Sequence, residues 1–468
     1  MDVIKTLKKY PHVFLYYALG MYIFFNSDIY FGLLHGNMLW TGSERIFYGI
    51  GWSSAAVGAL LFVFFKRMRP AAKKRWGASA FILAALSVCV AGLLITPVTF
   101  WISLVFVYMM EGLSAAVCAY YLYRLIQNDP SGFKAGILLA SAAVTGFVLM
   151  GAVEVILPSQ LIVKMVMLTA ALLTMLFLAF RKINLFELLD KREETSEAYS
   201  GGKRGRYLSV IFGVSAAIAL MSYLIGVNDV DVYMALPSNF DFVFYIMQVL
   251  YIPGLLAAGF LADAKGGKYL PIAAFGCILL TSPTVTFLNS PQTYIYYSGL
   301  SYLLGGFLLI YILISLVSIA QKSRRPMIVT TLAAFLFFLF SGLGAFTSGF
   351  YIYGDSMVSL VTYIGISTLL LVTFYLSGGL QPSHVDPASS ETPASESISL
   401  DSMTKRYGIT NREAEVLRLL VEGKSTDEIA EAMVITKNSV NNYVSSLLSK
   451  TDIQSRAGLI ARFSRAKL

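Results

Sequence analysis

Residues 410–448 read TNREAEVLRLLVEGKSTDEIAEAMVITKNSVNNYVSSLL. The stretch is punctuated as a set of short helices. Thr410 followed by Glu413 is a capping box, in which a hydroxyl and a carboxylate each satisfy a backbone N–H at a helix start. Leu417, Leu420 and Val421 then share one face. Gly423 ends that helix, because glycine enters positive φ at little cost. Ser425 and Glu428 repeat the box, and Ile429, Ala430 and Met433 form the next apolar stripe. A turn over 434–437 follows, and Thr436 caps a third helix. Along that helix Val440, Val444, Leu447 and Leu448 recur at helical spacing. A short fourth helix opens near Ser455 and carries Leu459, Ile460 and Phe463. Opposite the third helix's apolar stripe stand Lys437, Asn438, Ser439, Asn441, Asn442 and Ser445. Amides and hydroxyls of this kind can bond base edges and phosphates in a major groove. Residues 403–468 hold 11 Lys and Arg against 7 Asp and Glu, a net charge of +4. That is modest for a polyanion binder, so a single copy is expected to bind weakly.

The spacing Thr410, Arg412, Glu413, Glu415, Val416, Leu417, Leu419, Leu420, Gly423, Ser425, Glu428, Ile429, Ala430 is followed by Ile435, Thr436, Ser439 and Val440. Lys450 and Arg456 come after. This pattern resembles the LuxR-type helix-turn-helix and runs through the whole 403–468 domain. The resemblance implies a recognition helix at about 437–450. It also implies a homodimer formed through the fourth helix, on paired half-sites of double-stranded DNA. The DNA-binding set it implies is Thr436, Lys437, Asn438, Ser439, Asn441, Asn442, Tyr443, Ser445, Lys450 and Arg456. Two positions depart from the family: Asn441 and Tyr443 stand where Lys and His are usual. Losing a phosphate-directed Lys implies weaker anchoring, or a sequence preference altered through Asn441 and Asn442.

Upstream, residues 378–402 are rich in Ser, Pro and Glu and nearly free of large apolar side chains. Such a segment buries too little surface to order itself and reads as a tether. Twenty-five flexible residues reach roughly 25–30 Å on average. Asp386, Glu391, Glu396 and Asp401 make it acidic, which keeps it off anionic lipid and DNA.

Before the tether the composition changes. The chain is 57% hydrophobic and only 13% charged, where a soluble domain carries about 25% charge. The mean hydropathy is +0.68. Twelve runs are long enough for helices that cross a bilayer: 12–33, 46–65, 78–96, 99–123, 135–157, 160–180, 207–227, 241–262, 270–288, 294–319, 327–348 and 357–377. Residues 157–159 separate the fifth and sixth so briefly that a re-entrant hairpin is an alternative there. The first run continues to His35 without a small-residue cleavage site, so it reads as a membrane helix rather than a removed leader. Cys89, Cys118 and Cys277 each sit inside an apolar run, and no Cys/His cluster exists, so disulfide, zinc and haem frameworks are not expected.

Loop charge orients the bundle. Lys and Arg gather at the N-terminus (Lys5, Lys8, Lys9) and in alternate loops. These are Lys66–Arg75, Arg124 with Lys134, Arg181–Arg206, Lys265 with Lys268, and Lys322–Arg325. The opposite loops hold Arg45 alone, and Lys164 lies within the sixth run. Both termini are therefore expected in the cytoplasm of a bacterial cell, with a multi-pass domain in its cytoplasmic membrane.

The long charged loop 181–206 divides the runs six and six. That plan is similar to the major facilitator superfamily. Gly259, Asp263, Gly266 and Lys268 resemble the family's loop motif, which implies that Asp263 helps latch the cytoplasmic side. Ala264 replaces the basic residue usual after the Asp. The corresponding loop after the second run lacks the Asp, which argues against ordinary transport.

Polar groups deep in the runs are few and costly, hence candidates for ligand binding: Asn26, Asp28, Glu111, Glu154 and Gln248. Tyr294, Tyr296, Tyr297, Tyr351 and Tyr353 read as an interfacial belt. No catalytic triad, phosphate loop or metal motif is present, so neither an enzyme nor a cofactor is expected. The expectation is an all-α chain in three parts. Residues 1–377 form a twelve-helix sensor domain, 378–402 a linker, and 403–468 a four-helix DNA-binding domain. The function expected is control of DNA binding by a small molecule; the alternative is a transporter with a regulatory tail.

Overall fold

The computed structural model describes residues 9–36, 44–128, 134–156, 160–181, 204–234, 248–267, 269–284, 291–321, 323, 325–348 and 408–451, with single positions at 361, 365, 366, 368, 369, 372, 456 and 459. The chain divides into two compact units, Met1–Pro387 and Ala388–Leu468. Among the described residues both are helical, with no strand.

The first unit contains α1 (Pro11–Gly36), α2 (Glu44–Arg67), α3 (Pro70–Leu93), α4 (Pro97–Asn128), α5 (Ala135–Ile156), α6 (Leu161–Arg181), α7 (Arg204–Met234), α8 (Tyr251–Asp263), α9 (Leu270–Thr284), α10 (Pro291–Ala320) and α11 (Pro326–Thr347). Five of them open on proline, whose missing N–H and fixed φ suit the first helical turn. Eight helices among the described residues are long and apolar enough to span a bilayer. The chain is a multi-pass membrane protein. Of the twelfth run only 361, 365, 366, 368, 369 and 372 are described; the 182–203 part of the central loop and the 378–402 linker lie outside the described residues, as do 157–159 between the fifth and sixth runs. α5 and α6 are nonetheless each long enough to cross.

The two largest departures from the expected boundaries are at the starts of α3 and α8. α3 begins at Pro70 rather than near 78, so Lys73, Lys74 and Arg75 lie inside the helix. The eighth run is broken at Val249–Leu250, and α8 starts only at Tyr251. Pro253 explains the break: it has no N–H for the carbonyl of Val249, and its ring crowds that carbonyl. Ile252 N–H takes the Val249 carbonyl instead, at 3.0 Å.

The packing repeats with a shift of six helices. α1 lies on α5 as α7 lies on α11, and α2 on α4 as α8 on α10. The halves meet where α2 packs on α11 and α5 on α8. These crossings are close because glycine sits in them. A Cβ on Gly112 (α4) would stand 1.7 Å from the Ala55 carbonyl oxygen (α2), and one on Gly226 (α7) 2.0 Å from that of Ser341 (α11). Small residues let backbones approach where lipid offers no hydrophobic drive. The outer surface carries exposed Phe64, Leu93, Val155, Phe212 and Phe260, as a lipid-facing belt requires.

The second unit contains α12 (Asn411–Val421), α13 (Thr426–Ala432) and α14 (Lys437–Thr451). Both capping boxes form, at Thr410/Glu413 and Ser425/Glu428. Gly423, at φ +83°, ends α12 in a Schellman motif. Its N–H bonds the Leu420 carbonyl, and that of Lys424 bonds the Leu419 carbonyl. The core joins Val416, Leu417, Leu420, Ile429, Val440, Val444, Leu447 and Leu459. Of the expected fourth helix only Arg456 and Leu459 are described, and Leu459 is fully buried in this core.

Candidate nucleic-acid interface and membrane cleft

In the second unit α13, a turn and α14 stand in sequence. The turn spans residues 433–436, one residue earlier than expected, so Lys437 is already helical. Val434 holds φ +53° and is 89% exposed. It occupies the position after the cap of α13, where the Ile435 N–H reaches back to the Ala430 carbonyl. Glycine is usual there, and a β-branched side chain is strained. Thr436 Oγ1 accepts from the Ser439 N–H at 3.2 Å and caps α14.

α14 presents two faces. Val440, Val444 and Leu447 are buried, whereas Asn438, Asn441, Asn442 and Ser445 are exposed. Tyr443 is half-buried against the core, so its ring is partly committed to packing. Lys437 pairs with Asp427 at 2.9 Å, both side chains about two-thirds exposed. Lys450 donates to Glu413 at 2.7 Å and to the Gly408 carbonyl at 3.0 Å. Arg456 donates to Thr426 Oγ1 and to the Lys424 carbonyl. Lys450 and Arg456 thus hold the unit together from within.

Glu413 is the centre of that internal network. Its carboxylate accepts from Thr410 N–H and Oγ1, Ser446 Oγ and Lys450 Nζ, at 2.6–2.9 Å. Burial pushes its carboxyl up, but the bonds from Lys450, Ser446 and Thr410 more than offset this and hold it down to about 2. Glu428, in the exposed second box, is lowered by its bonds from Ser425.

In the first unit the predicted polar residues separate. Glu111 lines a cleft between α1 and α4 of the first half and α10 and α11 of the second. Its Oε1 accepts from Ser27 Oγ at 2.5 Å. The rest of the lining is largely apolar, including Phe24, Leu309, Phe337 and Phe338. Asn26 is fully buried beside Ser27 in sequence. Neither of its amide atoms has a hydrogen-bond partner among the described residues. Gln248 is half-buried with its Oε1 in the same condition. Glu154 lies elsewhere, in a buried ion pair with Lys164. The side chain of Asp28 lies outside the described residues. Ser27 and Lys164 carried no sequence signal as partners, because both contacts depend on which helices meet.

The loop motif is built as a clasp between halves. Asp263, the last residue of α8, accepts from the Gly136 and Ile137 N–H groups at 2.9 and 2.8 Å. It therefore caps α5, whose first N–H groups have no partner within the helix. Gly259 makes room: a Cβ there would lie 2.7 Å from the Gly136 carbonyl oxygen. Gly266 lies in a 3₁₀ turn over Ala264–Gly267, and Lys268 lies outside the described residues.

Among known proteins, residues 408–463 match the family described as bacterial regulatory proteins, luxR family. The chain is 43% identical over 54 residues to the transcriptional regulatory protein DesR of Bacillus subtilis, covering 12% of this chain and 27% of DesR. It therefore spans about a quarter of that relative's length. It is 35% identical over 57 residues to the B. subtilis spore germination protein GerE, covering 12% of this chain and 77% of GerE. The membrane unit is similar in fold to the E. coli fucose:proton symporter FucP. The TM-score is 0.54 at 12% identity, over 81% of this chain and 100% of that one.

Proposed function

Because the chain belongs, through residues 408–463, to the luxR family of bacterial regulatory proteins, we propose that it is a one-component membrane-bound transcription regulator. Its membrane unit senses a small molecule, and that state controls sequence-specific DNA binding by a pair of C-terminal units. The observation that carries this reading is the fusion itself. One chain joins a LuxR-type DNA-binding domain to an MFS-like membrane domain, and the exposed amides of α14 are left available to DNA. The charged loops favour a bacterial cytoplasmic membrane with both termini inside. The cleft at Glu111 supplies an apolar site with one carboxylate, suited to a small amphipathic ligand. The residues assigned to DNA are Thr436, Lys437, Asn438, Ser439, Asn441, Asn442 and Ser445, with Tyr443 at the margin. Full-length protein in lipid nanodiscs, footprinted on a library of upstream DNA with and without candidate ligands, tests the reading. Ligand-dependent protection of paired half-sites is expected, and no selective footprint under any ligand overturns it.

The Asp263 clasp and the fold shared with transporters favour a second reading, a transporter whose tail regulates. Saturable uptake of a radiolabelled solute by a chain ending at residue 377 would support it. The first reading expects no such uptake.

A further inference from the structure

We propose that α14 reads adenine. Each half-site then carries one or two adjoining adenines contacted by Asn441 and Asn442, and no guanine contacted by a basic side chain of this helix. The inference rests on the DNA-binding reading above and adds the class of sequence bound.

Asn438, Asn441, Asn442 and Ser445 fall at i, i+3, i+4 and i+7 and are all exposed. They form one face, opposite buried Val440, Val444 and Leu447. A carboxamide offers a donor and an acceptor side by side. In the major groove adenine offers the matching pair, a donor at N6 and an acceptor at N7. Guanine offers two acceptors there and is read by the forked or repeated donors of Arg or Lys. Within α14 the basic residues are Lys437 and Lys450, one at each end. Lys450 is tied to Glu413 and the Gly408 carbonyl. Lys437 makes an exposed pair with Asp427. Such a pair is weak, and at the start of the helix its ammonium is placed for phosphate. The exposed side chains between them are amides and hydroxyls alone. From Asn438 to Ser445 the helix rises about 10 Å, the height of about three base pairs.

The test uses full-length protein in nanodiscs and selection from a random duplex library. Enrichment of half-sites with one or two adjoining adenines is expected. Replacing such an adenine by guanine should weaken binding about 5- to 150-fold. Asn441→Ala and Asn442→Ala should each flatten the preference at one adenine, weakening binding to adenine-containing half-sites more than to scrambled DNA. Asn441→Arg should move the preference at its position toward guanine. Guanine enrichment by the native chain overturns the proposal. So does an alanine variant that weakens every sequence alike, which would mark a phosphate contact. A chain that retains no duplex at any salt concentration overturns the regulator reading itself. That outcome is distinct from a chain that binds DNA with the wrong bases.

Discussion

The membrane unit and the C-terminal unit are both helical, but their helices are held by opposite means. In the membrane unit the tightest crossings are backbone against backbone. Gly112 meets the Ala55 carbonyl, Gly226 that of Ser341, and Gly254 that of Leu303. In the C-terminal unit the joins are side chains: a core around Leu417, Ile429 and Leu447, and Glu413 bonded to both ends of the domain. The difference follows from the solvent. Water drives leucine inward. Lipid does not distinguish leucine from itself, so close fit must hold the helices together.

The comparison breaks hardest at glycine. Gly112→Leu should abolish the folded membrane unit, because its Cβ would overlap backbone that cannot turn aside. Size-exclusion in detergent should show aggregate only. Leu417→Ala, by contrast, should leave a folded membrane unit and lower the stability of the C-terminal unit alone.

Glu413→Ala comes next, with an expected loss of about 2–3 kcal/mol in the C-terminal unit at pH 7, since it strips a buried carboxylate from Lys450, Ser446 and Thr410. The native residue also gives a pH signature. Its folded carboxyl titrates at about 2, below the ordinary 4.5, so protonation favours the unfolded chain. The stabilisation is complete above about pH 4.5 and drains away as the pH falls toward 2. Urea melts across that window should show the slope, and Glu413→Gln should reduce it to the smaller share that Glu428 contributes.

A smaller effect belongs to the one place where the membrane unit uses a side chain as the C-terminal unit does. Asp263→Ala should free the Gly136 and Ile137 N–H groups at a cost of about 1–2 kcal/mol. Amide exchange at those two positions should quicken while the middle of α5 stays protected. Smallest is a gain. Val434→Gly should stabilise the C-terminal unit by about 0.5–1 kcal/mol, since relief of left-handed strain exceeds the entropy glycine adds to the unfolded chain. A rise in urea midpoint without a change in slope would show it.

What could be read in advance divides along the same line. Capping boxes are local, three residues apart, so Thr410/Glu413 and Ser425/Glu428 announce themselves and form as expected. Gly423 likewise ends α12 where its type requires. The third bond of Glu413, to Lys450, spans 37 residues and depends on α12 meeting α14. The same distance in sequence hides the partners of the membrane residues. Glu111 marked itself as an unusual charge in an apolar run, but Ser27 and the facing Phe337 follow only from packing. Glu154 marked itself in the same way and lies in an ion pair instead. Pro253 lay in plain view, yet its break in the eighth run was hidden by continuous hydropathy.

Asp263 has one consequence measured in energy rather than shape. It belongs to the second half of the membrane unit, and the helix it caps belongs to the first. Parting the halves at this end must strip a carboxylate of two donors and leave a helix start bare. At the cost of about 1–2 kcal/mol given above, the two bonds alone lower the share of the parted state by a factor of about 5 to 30. The clasp therefore adds to the cost of parting this end of the bundle, and a ligand that bound the parted state better would shift the balance toward it.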